Sequence, residues 1–152
     1  MNHFAEMLAC LHEERVKFLI VGGYALAAYG IPRATGDIDI WIEPTHENAL
    51  KVFRSLTKFG APLIAHGVSI TDFEREDSIY QIGLPPQRID IVTSITGVNF
   101  ADAWDKRLHL TILGNSVEVI SQKDFIVNKK AVGRPKDLSD AAMVEEIIGQ
   151  RN

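Results

Sequence analysis

Asp37 and Asp39 stand two residues apart in the β-branched run Gly36-Asp37-Ile38-Asp39-Ile40-Trp41-Ile42. Side chains alternate along a strand, so both carboxylates share one face while Ile38, Ile40 and Ile42 share the other. Their Cα atoms would lie about 6.6 Å apart, close enough for both side chains to reach one divalent cation. Arg88-Ile89-Asp90-Ile91-Val92 offers a third carboxylate in a second apolar run. Upstream, Phe18-Leu19-Ile20-Val21 ends in Gly22-Gly23, where bare backbone can approach a phosphate and present amide N–H groups. Three strand-borne aspartates and a glycine pair predict metal-assisted chemistry on a phosphorylated ligand.

Each motif has a plainer reading. The glycine pair could be only a strand-to-helix turn, and Asp-Ile-Asp-Ile only a half-solvated edge strand. Aspartate is depleted in strands, however, and two on one face favour the ligand reading. Asp72, Glu74, Glu76 and Asp77 read as a solvated charge run rather than further ligands. Arg88 shares the face of Asp90 and reads as its structural ion-pair partner in preference to a phosphate contact. Tyr24 and Trp41 read as core aromatics rather than base-stacking platforms. His12, His46, His66 and His109 lack the paired spacing of a histidine metal site.

Val21-Gly22-Gly23-Tyr24, followed by Arg33, Thr35 and Asp37-Ile38-Asp39-Ile40, resembles the signature of the polymerase-β-type nucleotidyltransferase superfamily. The likeness is to its minimal Gly-Gly branch, which includes abortive-infection toxin-like and antibiotic-modifying nucleotidyltransferases. It covers residues 18 to 43, the third aspartate near residue 90, and a tail. That tail, Lys130-Ala131-Val132-Gly133-Arg134-Pro135-Lys136-Asp137-Leu138-Ser139-Asp140, resembles the Lys…Arg-x-Lys-Asp-x-x-Asp segment of the branch. The resemblance implies catalysis by two Mg²⁺ ions, with Mn²⁺ as a substitute. Asp37, Asp39 and Asp90 would bind them, and Gly22, Gly23, Arg33, Thr35, Lys130, Arg134 and Lys136 would bind the nucleotide. For the basic residues, phosphate contact and a solvated helix end are equal readings. For Asp137 and Asp140 the expectation is helix capping, with Asp137 at the N-cap.

These residues need elements to position them. Residues 3 to 15 read as an amphipathic helix and 18 to 21 as a buried strand, with a short helix over Tyr24 to Tyr29. The Asp37–Ile42 strand is followed by a helix from His46 to Phe59, capped by Thr45, ended by Gly60 and turning Ala49, Leu50, Phe53 and Leu56 inward. Residues 61 to 77 show no clear period. Ser78 to Leu84 and Arg88 to Ile95 read as a hairpin across Pro85-Pro86, and Phe100 to Arg107 as a short helix. A second hairpin turns at Gly114-Asn115. Two last helices follow, one capped by Ser121 and reaching Val132, the other spanning 136 to 149. The expected fold is α/β, or α+β by some conventions: one domain over 1–152, a small mixed sheet with helices mainly on one face.

Composition narrows the function. Of 152 residues, 46% are hydrophobic and 24% charged, the profile of a folded domain rather than a disordered chain. The net charge of −4 argues against non-specific coating of nucleic acid, which needs a basic surface. A single cysteine excludes an intrachain disulfide and a cysteine zinc cluster. With no secretory leader pattern and no apolar run of membrane-spanning length, the expected compartment is the cytoplasm and no membrane partner is expected. The expected activity is transfer of an NMP group from an NTP to a hydroxyl or phosphate acceptor, whether tRNA, protein or small molecule. A homodimer interface or a partner protein would complete so small a site. Two other classes are a catalytically silent relative acting as a binding or regulatory partner in a toxin–antitoxin-like pair, and a small nucleic-acid-binding module.

Overall fold

A computed structural model describes residues 2–33 and 36–150. Along the chain run α1 (His3–Glu13), β1 (Phe18–Val21), α2 (Gly23–Ala28), β2 (Ile38–Ile42) and α3 (His46–Phe59). A 3-10 turn (Ile70–Phe73), β3 (Ile79–Ile82), β4 (Ile89–Val92) and α4 (Phe100–Asp105) follow, then β5 (Leu108–Ile112), β6 (Asn115–Val119), α5 (Gln122–Val132) and α6 (Pro135–Gln150). The unpatterned stretch before β3 thus holds one helical turn and no strand.

The strands form a single mixed sheet in the order β3-β4-β2-β1-β6-β5. Central β2 is antiparallel to β1 and parallel to β4. The two expected hairpins form the edges, β3 against β4 and β5 against β6. All four residues of β1 are buried, as are Ile38, Ile40, Trp41 and Ile42 of β2, so both faces at the sheet centre are covered. Alternation divides β2: the three isoleucines point one way, Asp39 and Trp41 the other.

The helices pack according to that division. Phe18 is the register partner of Ile42 and takes the edge of the His12 ring of α1 at 5.6 Å, while α1 and α3 pack together. On the other face, Phe100 of α4 meets Trp41 edge-on at 5.0 Å. Both aromatics are therefore core. Among the described residues no helix is long and apolar enough to cross a membrane.

Helix α3 begins and ends where its caps predict, with the Thr45 side chain accepting the Asn48 N–H and Gly60 left-handed at φ +96°. Its inner face differs from expectation: Asn48, Ala49, Val52, Ser55 and Leu56 are buried, and Leu50 lies off that stripe. The polar Asn48 belongs inside because its amide is fully used. It accepts from Lys17 N (2.8 Å) and donates to the carbonyls of Lys17 (3.0 Å) and Glu43 (2.9 Å), tying the entry of β1 to the exit of β2.

Candidate active site

The three aspartates converge because of strand register. Asp39 on β2 is the direct neighbour of Asp90 on β4 and of Val21 on β1. Gly22, next after Val21, has φ +69°, and a Cβ there would collide with Asp39 Oδ2. Only glycine satisfies both the dihedral and the approach. Asp37 precedes β2, and its Oδ1 accepts the Arg88 backbone N–H at 3.0 Å. Gly36 passes so close to the Pro86 carbonyl that no Cβ fits there either.

Around them lies a cleft of about 360 Å³. Its acidic wall is Asp37, Asp39 and Asp90, and its floor the Gly22-Gly23 turn. Arg33, Arg88, Lys129, Arg134 and Lys136 bring cations to it, and Asp137 and Asp140 two further carboxylates. Most of these charges are already paired. The Arg88 guanidinium donates to both oxygens of Asp90, at 2.7 and 3.1 Å, and lies 3.3 Å from Asp37 Oδ2. Arg33 pairs with Asp140. Arg134 reaches Asp137 at 2.6 Å and Lys129 reaches it at 3.5 Å. Among the described residues, Asp39 and Lys136 make no ion pair.

That difference sets the electrostatics. Burial first, then the neighbouring Asp90 carboxylate, raises the Asp39 pKa to about 6, with Lys129 pulling the other way. The buried Asp137 goes in the opposite direction, held below the usual carboxylate range by its Arg134 hydrogen bond against the cost of burial.

Mg²⁺ can be tested against this donor set. Three carboxylates supply hard oxygen ligands only, and glycine rather than a side chain stands beside Asp39 Oδ2, which suits a hard cation. The residue types fit the ion. Among the described residues, though, no three His, Cys, Asp or Glu side chains are grouped so as to hold a metal ion, and the Arg88 guanidinium donates to both Asp90 oxygens.

Other readings of the tail change. Lys130 turns to Glu145 on α6 (3.2 Å) at an exposed position, and the neighbouring Lys129 enters the cleft in its place. Asp137 and Asp140 do not cap α6. Both lie inside it, 1% and 3% exposed, as acceptors for cleft cations. Thr35 lies outside the described residues. A larger cleft of about 630 Å³, beyond the other end of β2 near Trp41 and Asn99, contains Glu43, Glu76 and Asp77 but neither a lysine nor an arginine.

Residues 2–150 match the family described as "Nucleotidyltransferase of unknown function (DUF6036)". The chain belongs to that family. This nucleotidyltransferase-like assignment agrees in fold with a crystal structure from Thermotoga maritima described as a "putative nucleotidyltransferase", at a TM-score of 0.58. The two share 15% identity, over 97% of this chain and 91% of that one, so the likeness is one of architecture. No curated protein matches the chain.

Proposed function

We propose that this DUF6036 member transfers a nucleotidyl group from an NTP to a hydroxyl or phosphate acceptor. One observation carries the reading: among the described residues, the two cleft charges without an ion pair are of opposite sign, Asp39 beside Asp37 and Asp90, and Lys136 on the basic side. A free carboxylate suits a divalent cation and a free ammonium suits a phosphate.

In this reading Asp37, Asp39 and Asp90 hold Mg²⁺, which when bound supplies stabilisation of the charge on the attacking and leaving oxygens. Asp90 also positions the attacking group. Gly22 and Gly23 let the triphosphate approach the backbone, where the first amides of α2 have no carbonyl partner within the helix. Lys136 and Lys129 face the charge of the departing pyrophosphate, and Arg134 braces Lys129 through their shared acceptor Asp137.

The test is to incubate the protein with each α-phosphate-labelled NTP, Mg²⁺ and cell extract. The expected result is one labelled product that the Asp39→Asn protein fails to make. A catalytically silent relative is the competing reading, favoured by the seating of Arg88 on Asp90. Absence of labelling with every NTP would decide for it.

A further inference from the structure

We propose that Arg88 is an internal counter-cation that competes with the divalent metal for Asp90 and Asp37, and that loading the site requires its guanidinium to leave. The proposal rests on the nucleotidyl-transfer reading above and adds a step to it.

The geometry starts from the backbone. Arg88 N–H donates to Asp37 Oδ1 (3.0 Å) and Arg88 C=O accepts from Ile38 N (3.0 Å), so the main chain of residue 88 is clamped to the start of β2. Two residues later comes Asp90, on the same face by strand alternation. From that clamp the side chain reaches forward, its Nε 2.7 Å from Asp90 Oδ1 and its terminal nitrogen 3.1 Å from Oδ2. The same terminal nitrogen is 3.3 Å from Asp37 Oδ2. A planar fork fills both acceptor oxygens of one carboxylate and touches the second.

Two carboxylates that would ligate a cation are thereby satisfied by an organic one. Asp39, the third, has no such partner among the described residues. A metal cannot take both oxygens of Asp90 while the guanidinium holds them, and two cations at one carboxylate pair repel each other. The clamp and the fork are separable. The backbone bonds survive without the side chain, so residue 88 can lose its guanidinium while β2 and β4 stay in register. The fork is a quarter exposed at the cleft wall (26%), so one side of it faces solvent rather than packed core. Phosphate accepts the same bidentate geometry as carboxylate, so the incoming nucleotide offers the released side chain a new acceptor.

The experiment measures Mn²⁺ binding by calorimetry, without and with ATP, for the wild type, Arg88→Ala and Arg88→Gln. Removing the internal competitor should tighten nucleotide-free Mn²⁺ binding about tenfold or more in both variants. In parallel, the Arg88 Nε–H resonance of the wild type is followed by NMR during Mg²⁺ titration, a readout that needs no variant to fold. It should be protected without metal and lose that protection as metal binds. Mn²⁺ affinity equal to or below wild type in both variants, or an Nε–H signal indifferent to saturating Mg²⁺, overturns the role of Arg88 and leaves the metal site standing. No Mn²⁺ binding in any of the three proteins, with or without ATP, overturns the nucleotidyl-transfer reading and this proposal with it.

Discussion

Asp39 and Asp90 are register partners across the parallel ladder of β2 and β4, flanked by the buried pairs Ile38–Ile89 and Ile40–Ile91. Two carboxylates are thus fixed side by side by strands whose other face is core, and they cannot move apart without disturbing it. Arg88 compensates Asp90 but not Asp39. The cost of burial, and after it that of like charge, therefore falls on Asp39, whose pKa is raised to about 6.

The metal-free protein should consequently lose stability between about pH 4 and pH 6 through this group. A carboxyl whose pKa is raised on folding binds its proton more tightly folded than unfolded. Its contribution is full below the unfolded value and disappears as pH rises through the folded one. The span corresponds to at most about 3 kcal/mol. Asp137, held low by Arg134, has the opposite trend. Melting curves in EDTA for wild type and Asp39→Asn isolate the effect: the difference between them should grow in favour of the variant from pH 4 to pH 7. A constant difference would contradict it.

At neutral pH, Asp37→Asn and Asp39→Asn should both abolish transfer yet differ in stability. Asp39→Asn removes repulsion and should melt at or above the wild type without metal. Asp37→Asn keeps an oxygen for the Arg88 N–H but gives up attraction to the guanidinium, costing about 1 kcal/mol. Thermal melts with EDTA, paired with the labelling assay, check both. A large loss of stability in Asp39→Asn would mean that the carboxylate anchors the fold.

NTP binding should require a divalent cation. On the acidic wall of the cleft three aspartates stand against one bridging arginine, and a triphosphate brought to that wall adds more negative charge. Calorimetry with ATP or GTP should give weak or no binding in EDTA and clear binding in Mg²⁺. Equal affinity in both buffers would remove the metal from the account.

The acidic half of the site was legible in the sequence because it is local: alternation along one strand places Asp37 and Asp39, and the turn after β1 demands glycine. Of the basic half, Arg33, Arg134 and Lys136 do line the cleft, but Lys130 does not, because a helix turns about 100° per residue and a phase error of one residue changes the face. Helix α5 is phased by the buried Asp124, Phe125 and Asn128, which send Lys129 to the cleft and Lys130 to Glu145. Asp137 and Asp140 look like caps by position alone. Their burial depends on Arg33, Arg134 and Lys129 arriving from other parts of the chain, which no local pattern encodes.

Asp137→Asn should test how much of the fold depends on that arrangement. Asp137 is 1% exposed and shared by two cations, so its neutralisation leaves Lys129, itself mostly buried, without its counter-charge. Breaking one side of such a buried set typically costs about 3–5 kcal/mol. The exposed Arg134 relaxes into solvent and should lower that figure. Denaturant melts should show Asp137→Asn clearly less stable than Arg134→Ala. Equal stability of the two variants would mean that Lys129 finds another partner.

Lys136 and Lys130 give the most direct separation of function from surface charge. Both are exposed lysines of the tail, six residues apart, and both match the family-like pattern. Lys136 lines the cleft of Asp37 and Asp39 and makes no ion pair among the described residues, whereas Lys130 is engaged with Glu145 away from it. A free ammonium has nothing to lose when a phosphate arrives, so its contact contributes undiminished by a broken pair. Lys136→Ala should therefore leave the melting temperature unchanged and weaken Mg²⁺-dependent NTP binding about tenfold, or about 1.4 kcal/mol. Lys130→Ala should change neither, since an exposed ion pair is worth at most about 1 kcal/mol. Calorimetry and melting on the two variants suffice. If both bind NTP as the wild type does, Lys136 is a solvated helix end and the phosphates are met by Lys129 and the backbone alone.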